Sequence, residues 1–213
     1  MKKVRLLLFD LDGTLVDSRL DIANGVNFTL KKLGIPALDN EKIYSFVGDG
    51  AWELMERSIN GKFIDVSLAL KIFREYYAEH LTDNTYLYPN VNEILNYYSD
   101  KQKAVVTNKY TSYSISILKK FDAAKYFVKI LGSDSVERIK PDPMPLMKIM
   151  TDLNIEPSET VMIGDSKNDI IAARSAGTIS CAVGYGLEKK EVLIKENPDY
   201  YISDLSELKK YFN

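Results

Sequence analysis

The chain is poor in the side chains that carry thiol and imidazole chemistry. Its 213 residues hold one cysteine, Cys181, and one histidine, His80. A single thiol forms no internal disulfide and no thiolate metal cluster, which fits a reducing compartment. A lone histidine at the end of a helical pattern has no triad to complete and reads as a helix-terminal charge. A basic excess is missing as well. Lys and Arg total 28 against 30 Asp plus Glu, giving a formal charge of −2 and a sequence pI of about 5.6. That balance argues against nucleic acid as a partner, because binding phosphate backbones requires a cationic surplus. Long hydrophobic runs are absent. Lys2, Lys3 and Arg5 precede a short apolar stretch, but Asp10 and Asp12 interrupt it, which argues against a signal peptide, a spanning helix and a membrane partner. The expected location is the cytoplasm. Carboxylates, hydroxyls and lysines are left to do any chemistry.

What is present is a chain with 46% apolar residues, long enough to bury a sizeable core. Val4 to Phe9 is a nearly continuous apolar run ending at an acidic, Gly-containing turn, as a buried parallel strand does at its carboxyl edge. Similar runs recur at Ala104 to Val106, Val128 to Leu131, Val161 to Ile163, Cys181 to Val183 and Tyr200 to Ile202. Helical patterns separate them: Val91 to Ser99, Thr111 to Phe121, Pro143 to Leu153, Asn168 to Ala176 and Leu187 to Glu196. A last helix starts at Asp204, which forms a capping-box pattern with Glu207. The alternation predicts an α/β fold, a doubly wound, Rossmann-like parallel sheet.

Residues 16–82 break the alternation with helical patterns and no convincing strand, and predict an inserted small α-helical cap domain. Residues 1–15 and 83–213 then form the core domain. Leu20, Ala23, Val26, Leu30 and Leu33 recur at helical spacing after the candidate N-cap Ser18, with Gly34 as a stop. Further cap helices are expected over Asn40 to Val47, Ala51 to Asn60 and Ser67 to Leu81. Trp52, Tyr76 and Tyr77 are expected to pack the cap core, and Cys181 to pack in the main one.

Four segments carry chemistry. FDLDGTLVDS, Phe9 to Ser18, sets Asp10 and Asp12 just past the first strand. VVTNK puts the Thr107 hydroxyl and the Asn108 amide at the end of the second core strand, where they can donate to an anion. Lys140 lies in KPDP after the third, and GDSKND repeats the strand-then-carboxylate pattern with Asp165 and Asp169. Taken singly, each reads equally as a turn, a surface lysine or a helix cap. Together they deliver acids, a hydroxyl, an ammonium and further acids to one sheet edge. So many carboxylates repel unless a cation sits among them, and hard oxygen ligands suit Mg²⁺.

In this order the four segments resemble the motifs of the haloacid-dehalogenase-like hydrolase superfamily across the whole chain. The resemblance implies a Mg²⁺-dependent phosphatase. Asp10 would be the nucleophile that becomes an aspartyl phosphate, and Asp12 the general acid and then base. Thr107 and Lys140 would hold the phosphoryl group. Asp10, the backbone carbonyl of Asp12 and Asp165 would ligate the metal, with Asp169 supporting them from behind. FVGDGAWELMERS, TNK and GDSKND resemble the phosphoglycolate phosphatases in particular, which implies substrate contacts from Gly48, Asp49 and Gly50 of the cap and from Thr14 and Asn108. The partner would be a small phosphorylated metabolite, and the protein a monomer or homodimer. Asp12 argues against halide displacement, since the dehalogenases lack an acid/base aspartate there. A phosphonate hydrolase would need a desolvated cap lysine, and Lys31, Lys32, Lys42, Lys62 and Lys71 read as solvated. Pyrophosphatase, sugar-phosphate phosphatase and phosphoglucomutase-like activities share these motifs, and a non-catalytic binding protein would be expected to lack one of them. The VGYG segment, Val183 to Gly186, either borders the site or turns the chain.

Overall fold

The computed structural model describes residues 1–61 and 63–213. Lys62, one of the five lysines considered above, lies outside the described residues. Strand β1 (Leu6–Phe9) alternates cleanly: Leu7 and Phe9 join one core face, Leu6 and Leu8 the other. Both faces are covered, which is why the strand reads as an unbroken apolar run.

After β1 come β2 (Val16–Asp17) and four helices, α1 (Arg19–Lys32), α2 (Asn40–Tyr44), α3 (Ala51–Ile59) and α4 (Val66–Glu79). The chain returns through β3 (Tyr86–Leu87) and α5 (Val91–Tyr97), then β4 (Gln102–Val106), α6 (Thr111–Lys120) and β5 (Lys129–Leu131). The last part runs α7 (Met144–Leu153), β6 (Thr160–Gly164), α8 (Lys167–Ala176), β7 (Ile179–Val183), α9 (Lys190–Lys195), β8 (Tyr200–Ile202) and α10 (Leu208–Tyr211). The main sheet is parallel with order β5-β4-β1-β6-β7-β8. The chain winds outward from β1 through β4 to β5, then crosses back to β6. The reversal therefore straddles β1, and ligands bind at such a switch point.

Residues 16–82 are not purely helical, as the sequence patterns suggested: Val16 and Asp17 pair antiparallel with Leu87 and Tyr86. This ribbon ties together the two chain crossings that lead into and out of α1–α4. Asp21 strengthens the tie. Its buried carboxylate accepts from Asn84 N (3.0 Å), Thr85 N (2.8 Å) and Thr85 Oγ1 (2.7 Å). The capping box of Asp204 and Glu207 is present, although a single 3-10 turn precedes α10. Cys181 is buried. His80 caps the end of α4, stacks on Tyr76 and pairs with Asp83 at 2.6 Å. Lys31, Lys32, Lys42 and Lys71 are all exposed, so none is a desolvated amine. Among the described residues no helix is long and apolar enough to cross a membrane.

Candidate active site

The ends of β4, β1 and β6 bring the sequence motifs into one place. Asp10 continues the β1 ladder by donating its N–H to Ile163 O (2.9 Å), which fixes its backbone at the centre of the switch point. Its Oδ1 accepts from Leu11 N (2.7 Å) and lies 3.0 Å from Lys140 Nζ. Among the described residues Oδ2 has no hydrogen-bond partner. Lys140 is 2% exposed and bridges Asp10 to Asp169, whose Oδ1 is 2.5 Å away. Asp169 Oδ2 accepts from Ser166 N and Oγ, closing the capping box of α8. Helix capping and charge placement are thus the same bond network.

Asp165 leaves the end of β6 and is 2% exposed. Its Oδ1 accepts from Thr14 Oγ1 (3.0 Å) and its Oδ2 from Leu187 N (2.7 Å). It fits only because two neighbours are glycines. A Cβ on Gly13, whose φ is +83°, would overlap the Asp165 carboxylate, and one on Gly186 would overlap the Asp165 Cβ. The VGYG segment therefore both turns the chain and borders the site, and Tyr185 Oη donates to Thr14 O at 2.9 Å.

Carboxylate oxygens of Asp10, Asp165 and Asp169 come within 4.8 Å of one another. Burial, with the fields of Asp169 and Asp12, pushes Asp10 up to about 7 although Lys140 opposes this. Burial and the neighbouring Asp10 and Asp169 carboxylates hold Asp165 well above the ordinary carboxylate range. Burial opposes the charge on Lys140, yet Asp10 and Asp169 outweigh it and raise its pKa. Two desolvated acids whose pKa values are both raised by burial and neighbouring carboxylates, with an oxygen on Asp10 that no described residue engages, suit a hard divalent cation.

Asp12 lines the same cavity as Asp10 and lies near enough for its charge to act on it. Its Oδ2 is 2.9 Å from Lys109 Nζ, and its Oδ1 accepts from Ser18 Oγ. Lys109 also donates to Tyr77 Oη of α4 at 3.0 Å, so this ammonium joins the sheet edge to the inserted helices. Burial works against the Lys109 charge, but Asp12 and Tyr77 outweigh it and raise its pKa. Sequence reasoning gave Lys109 no role, although it ends the TNK triplet. Ser18, expected as an N-cap, makes no capping bond because its hydroxyl is committed to Asp12. Thr107 lines the cavity at the end of β4, and its Oγ1 accepts from Lys109 N (3.2 Å).

Two expected substrate contacts are engaged elsewhere. Thr14 is fully buried and donates to Asp165, so it has no surface to offer a substrate. Asn108 Nδ2 donates to Lys140 O (2.8 Å) and Gly48 O (2.9 Å), while its Oδ1 accepts from Lys140 N (3.1 Å). It holds the Lys140 backbone against the Gly48–Asp49–Gly50 loop. Asp49 in that loop accepts from Asn168 Nδ2 (2.7 Å) and pairs with Arg57 (2.5 Å). Gly48, Asp49 and Gly50 all line the cavity, of about 660 Å³, that also takes in Asp10, Asp12 and Asp165. Trp52 was expected to pack inside the helical insertion; it is 45% exposed and lines the cavity instead.

The comparisons with known proteins agree with this geometry. A family model described as haloacid dehalogenase-like hydrolase matches residues 7–183. The chain is 37% identical to the phosphoglycolate phosphatase of Vibrio parahaemolyticus, over 96% of this chain and 94% of that one. It is also 37% identical to the phosphoglycolate phosphatase of Chromobacterium violaceum, over 98% and 96%. Among solved structures, a predicted phosphoglycolate phosphatase from Haemophilus somnus superposes with a TM-score of 0.92 at 32% identity, covering 97% of both chains. A haloacid dehalogenase-like family hydrolase from Streptococcus pneumoniae gives 0.87 at 29%, covering 98% of both. On the family match, the near-complete overlap with these relatives and the shared fold, this chain belongs to the haloacid dehalogenase-like hydrolase family.

Proposed function

We propose that this protein is a magnesium-dependent phosphatase that hydrolyses a small phosphomonoester through an aspartyl phosphate on Asp10, with phosphoglycolate as the leading substrate. The observation that carries the proposal is the setting of Asp10. One of its oxygens is pinned by Lys140 and Leu11 N, and the other has no partner among the described residues, in a cavity that also holds Asp12. The curated relatives named phosphoglycolate phosphatase supply the substrate class.

In this reading Asp10 Oδ2 attacks phosphorus while the bond to the leaving alcohol oxygen breaks, and Asp12 gives that oxygen a proton. Asp12 then takes a proton from water, which attacks the aspartyl phosphate and restores the Asp10 carboxylate. Lys140 and Thr107 hold the phosphoryl oxygens, and Lys140 is kept in place by Asp169 and Asn108. Asp10, the backbone carbonyl of Asp12 and Asp165 would hold Mg²⁺, which supplies positive charge to the phosphoryl oxygens when bound. Residues 16–82 serve as a cap that covers this edge, with the Gly48–Asp49–Gly50 loop forming one wall.

The test is phosphate release from phosphoglycolate by the wild type and Asp10→Asn, with and without excess EDTA. The variant should keep the fold by circular dichroism and release no phosphate above background, and chelation should stop the wild type reversibly. Near-normal turnover by Asp10→Asn, or full activity in EDTA, would refute the mechanism.

A further inference from the structure

Besides the exposed Lys167 and Lys189, four cationic side chains line the site or its cavity, and three have carboxylate partners. Lys140 pairs with Asp10 and Asp169, Lys109 with Asp12, and Arg57 with Asp49. The fourth is Arg74 on α4. Among the described residues no carboxylate lies within ion-pair distance of it, and its buried Nε has no hydrogen-bond partner. The field of Asp134 reaches it, but the two are not paired, and Asp134 Oδ1 accepts instead from Thr111 N (2.8 Å) and Thr111 Oγ1 (2.7 Å). Burial accordingly holds Arg74 below the usual guanidinium range. A half-buried guanidinium with an unmet donor needs an explanation, because removing such a group from water is costly when nothing replaces the solvent.

Its position indicates what it would meet. The Arg74 guanidinium lies 4.2 Å from the centroid of the Tyr110 ring. Tyr110 directly follows Lys109, whose ammonium is 2.9 Å from Asp12. Tyr113 completes the wall: its hydroxyl donates to Arg74 O at 3.2 Å and its ring meets Tyr77 edge-on at 5.9 Å. Arg74 therefore lines the same cavity as Asp10 and Asp12, and it pairs with neither of their carboxylates. We infer that Arg74 is a specificity residue that binds a second anionic group, carried on the alcohol portion of the phosphoester. Stacking on Tyr110 holds the guanidinium plane in place, which lowers the ordering cost of a forked contact to a carboxylate or phosphate.

This inference rests on the phosphatase reading, so the test separates the two. Initial rates are measured for wild type, Arg74→Gln and Arg74→Lys on phosphoglycolate, on ethyl phosphate, which is matched in size but lacks the second anion, and on ethylene glycol bisphosphate. Wild type should prefer one of the two esters that carry a second anionic group to ethyl phosphate, and which one identifies that group as carboxylate or phosphate. Arg74→Gln should cut that preference by about 10²-fold, as loss of one partner of a desolvated charge pair does, mainly through KM. Arg74→Lys, which keeps the charge but not the fork, should fall between, and it provides the same readout should the Gln variant fold poorly. An equal loss on all three esters, or an unchanged preference, overturns the Arg74 assignment alone. A wild type that hydrolyses none of them overturns the phosphatase reading and this assignment with it.

Discussion

Thr14 offers a sharp test of how the site is built, because the sequence motif and the structure give it different jobs. Thr14→Val keeps the β-branched shape and removes only the hydroxyl that donates to Asp165 Oδ1 at 3.0 Å. A hydrogen bond to a charged acceptor contributes about 1.5–3 kcal/mol. If Asp165 ligates the metal, most of that loss falls on the metal-bound state, where the carboxylate is ionised. Since the metal-free fold already bears about 1 kcal/mol of such a loss, the difference of roughly 0.5–2 kcal/mol falls on metal binding, and at about 1.4 kcal/mol per tenfold change the half-saturating Mg²⁺ concentration should rise roughly 2- to 30-fold. KM for the phosphoester at saturating Mg²⁺ should hardly move, since Thr14 is fully buried. Without metal the cost is that of a neutral bond, about 1 kcal/mol, which for a chain of this size lowers Tm by about 2–4 °C. The assay is phosphate release against Mg²⁺ concentration at several substrate levels, with thermal melts in EDTA. A raised KM with unchanged Mg²⁺ dependence would make Thr14 a substrate contact and refute the reasoning.

Asp10 also gives the metal-free protein an unusual pH dependence. Its folded pKa of about 7 lies above the ordinary carboxylate value of 3.8, so the folded state keeps a proton that the unfolded chain releases. The resulting stabilisation is complete below pH 4 and is lost as pH rises to about 7, so this group makes the metal-free fold less stable at pH 7.5 than at pH 5. Urea titrations in EDTA across that window should show the decline, and excess Mg²⁺ should suppress it; a rise in metal-free stability over the same window would contradict it. Asp12→Ala should slow turnover by about 10²-fold or more in single-turnover assays, as loss of a general acid does, and a near-normal rate would remove Asp12 from the chemistry.

Much of this was legible in the chain because burial on both sheet faces leaves a plain mark. All six core strands announced themselves as apolar runs, and the acidic turns after two of them gave the site its position. The ribbon of Val16–Asp17 with Tyr86–Leu87 left no such mark, since strands of two residues are too short to show alternation. Helix α9 starts at Lys190 instead of Leu187, and Leu187 instead spends its N–H on Asp165, a bond across 22 residues that no local pattern encodes. Lys109 escaped for a similar reason. Its role depends on Asp12 and on Tyr77 of α4, both distant in sequence, whereas its neighbours in the triplet looked like the chemistry. Trp52 followed helical spacing, but the face it occupies turns toward the cavity and not toward the other helices.

The shared amide of Asn108 sets how readily the site could admit a substrate. If the Gly48–Asp49–Gly50 loop swings out, it breaks Asn108–Gly48 and Asn168–Asp49, together with a long 3.4 Å contact from Asn168 to Gly48, while both bonds from Asn108 to the Lys140 backbone survive. Two good hydrogen bonds at about 0.5–1.5 kcal/mol each put the unlatched form at very roughly one molecule in ten to one in a hundred. Such a minority is large enough for traffic in and out, and Lys140 keeps its seat throughout.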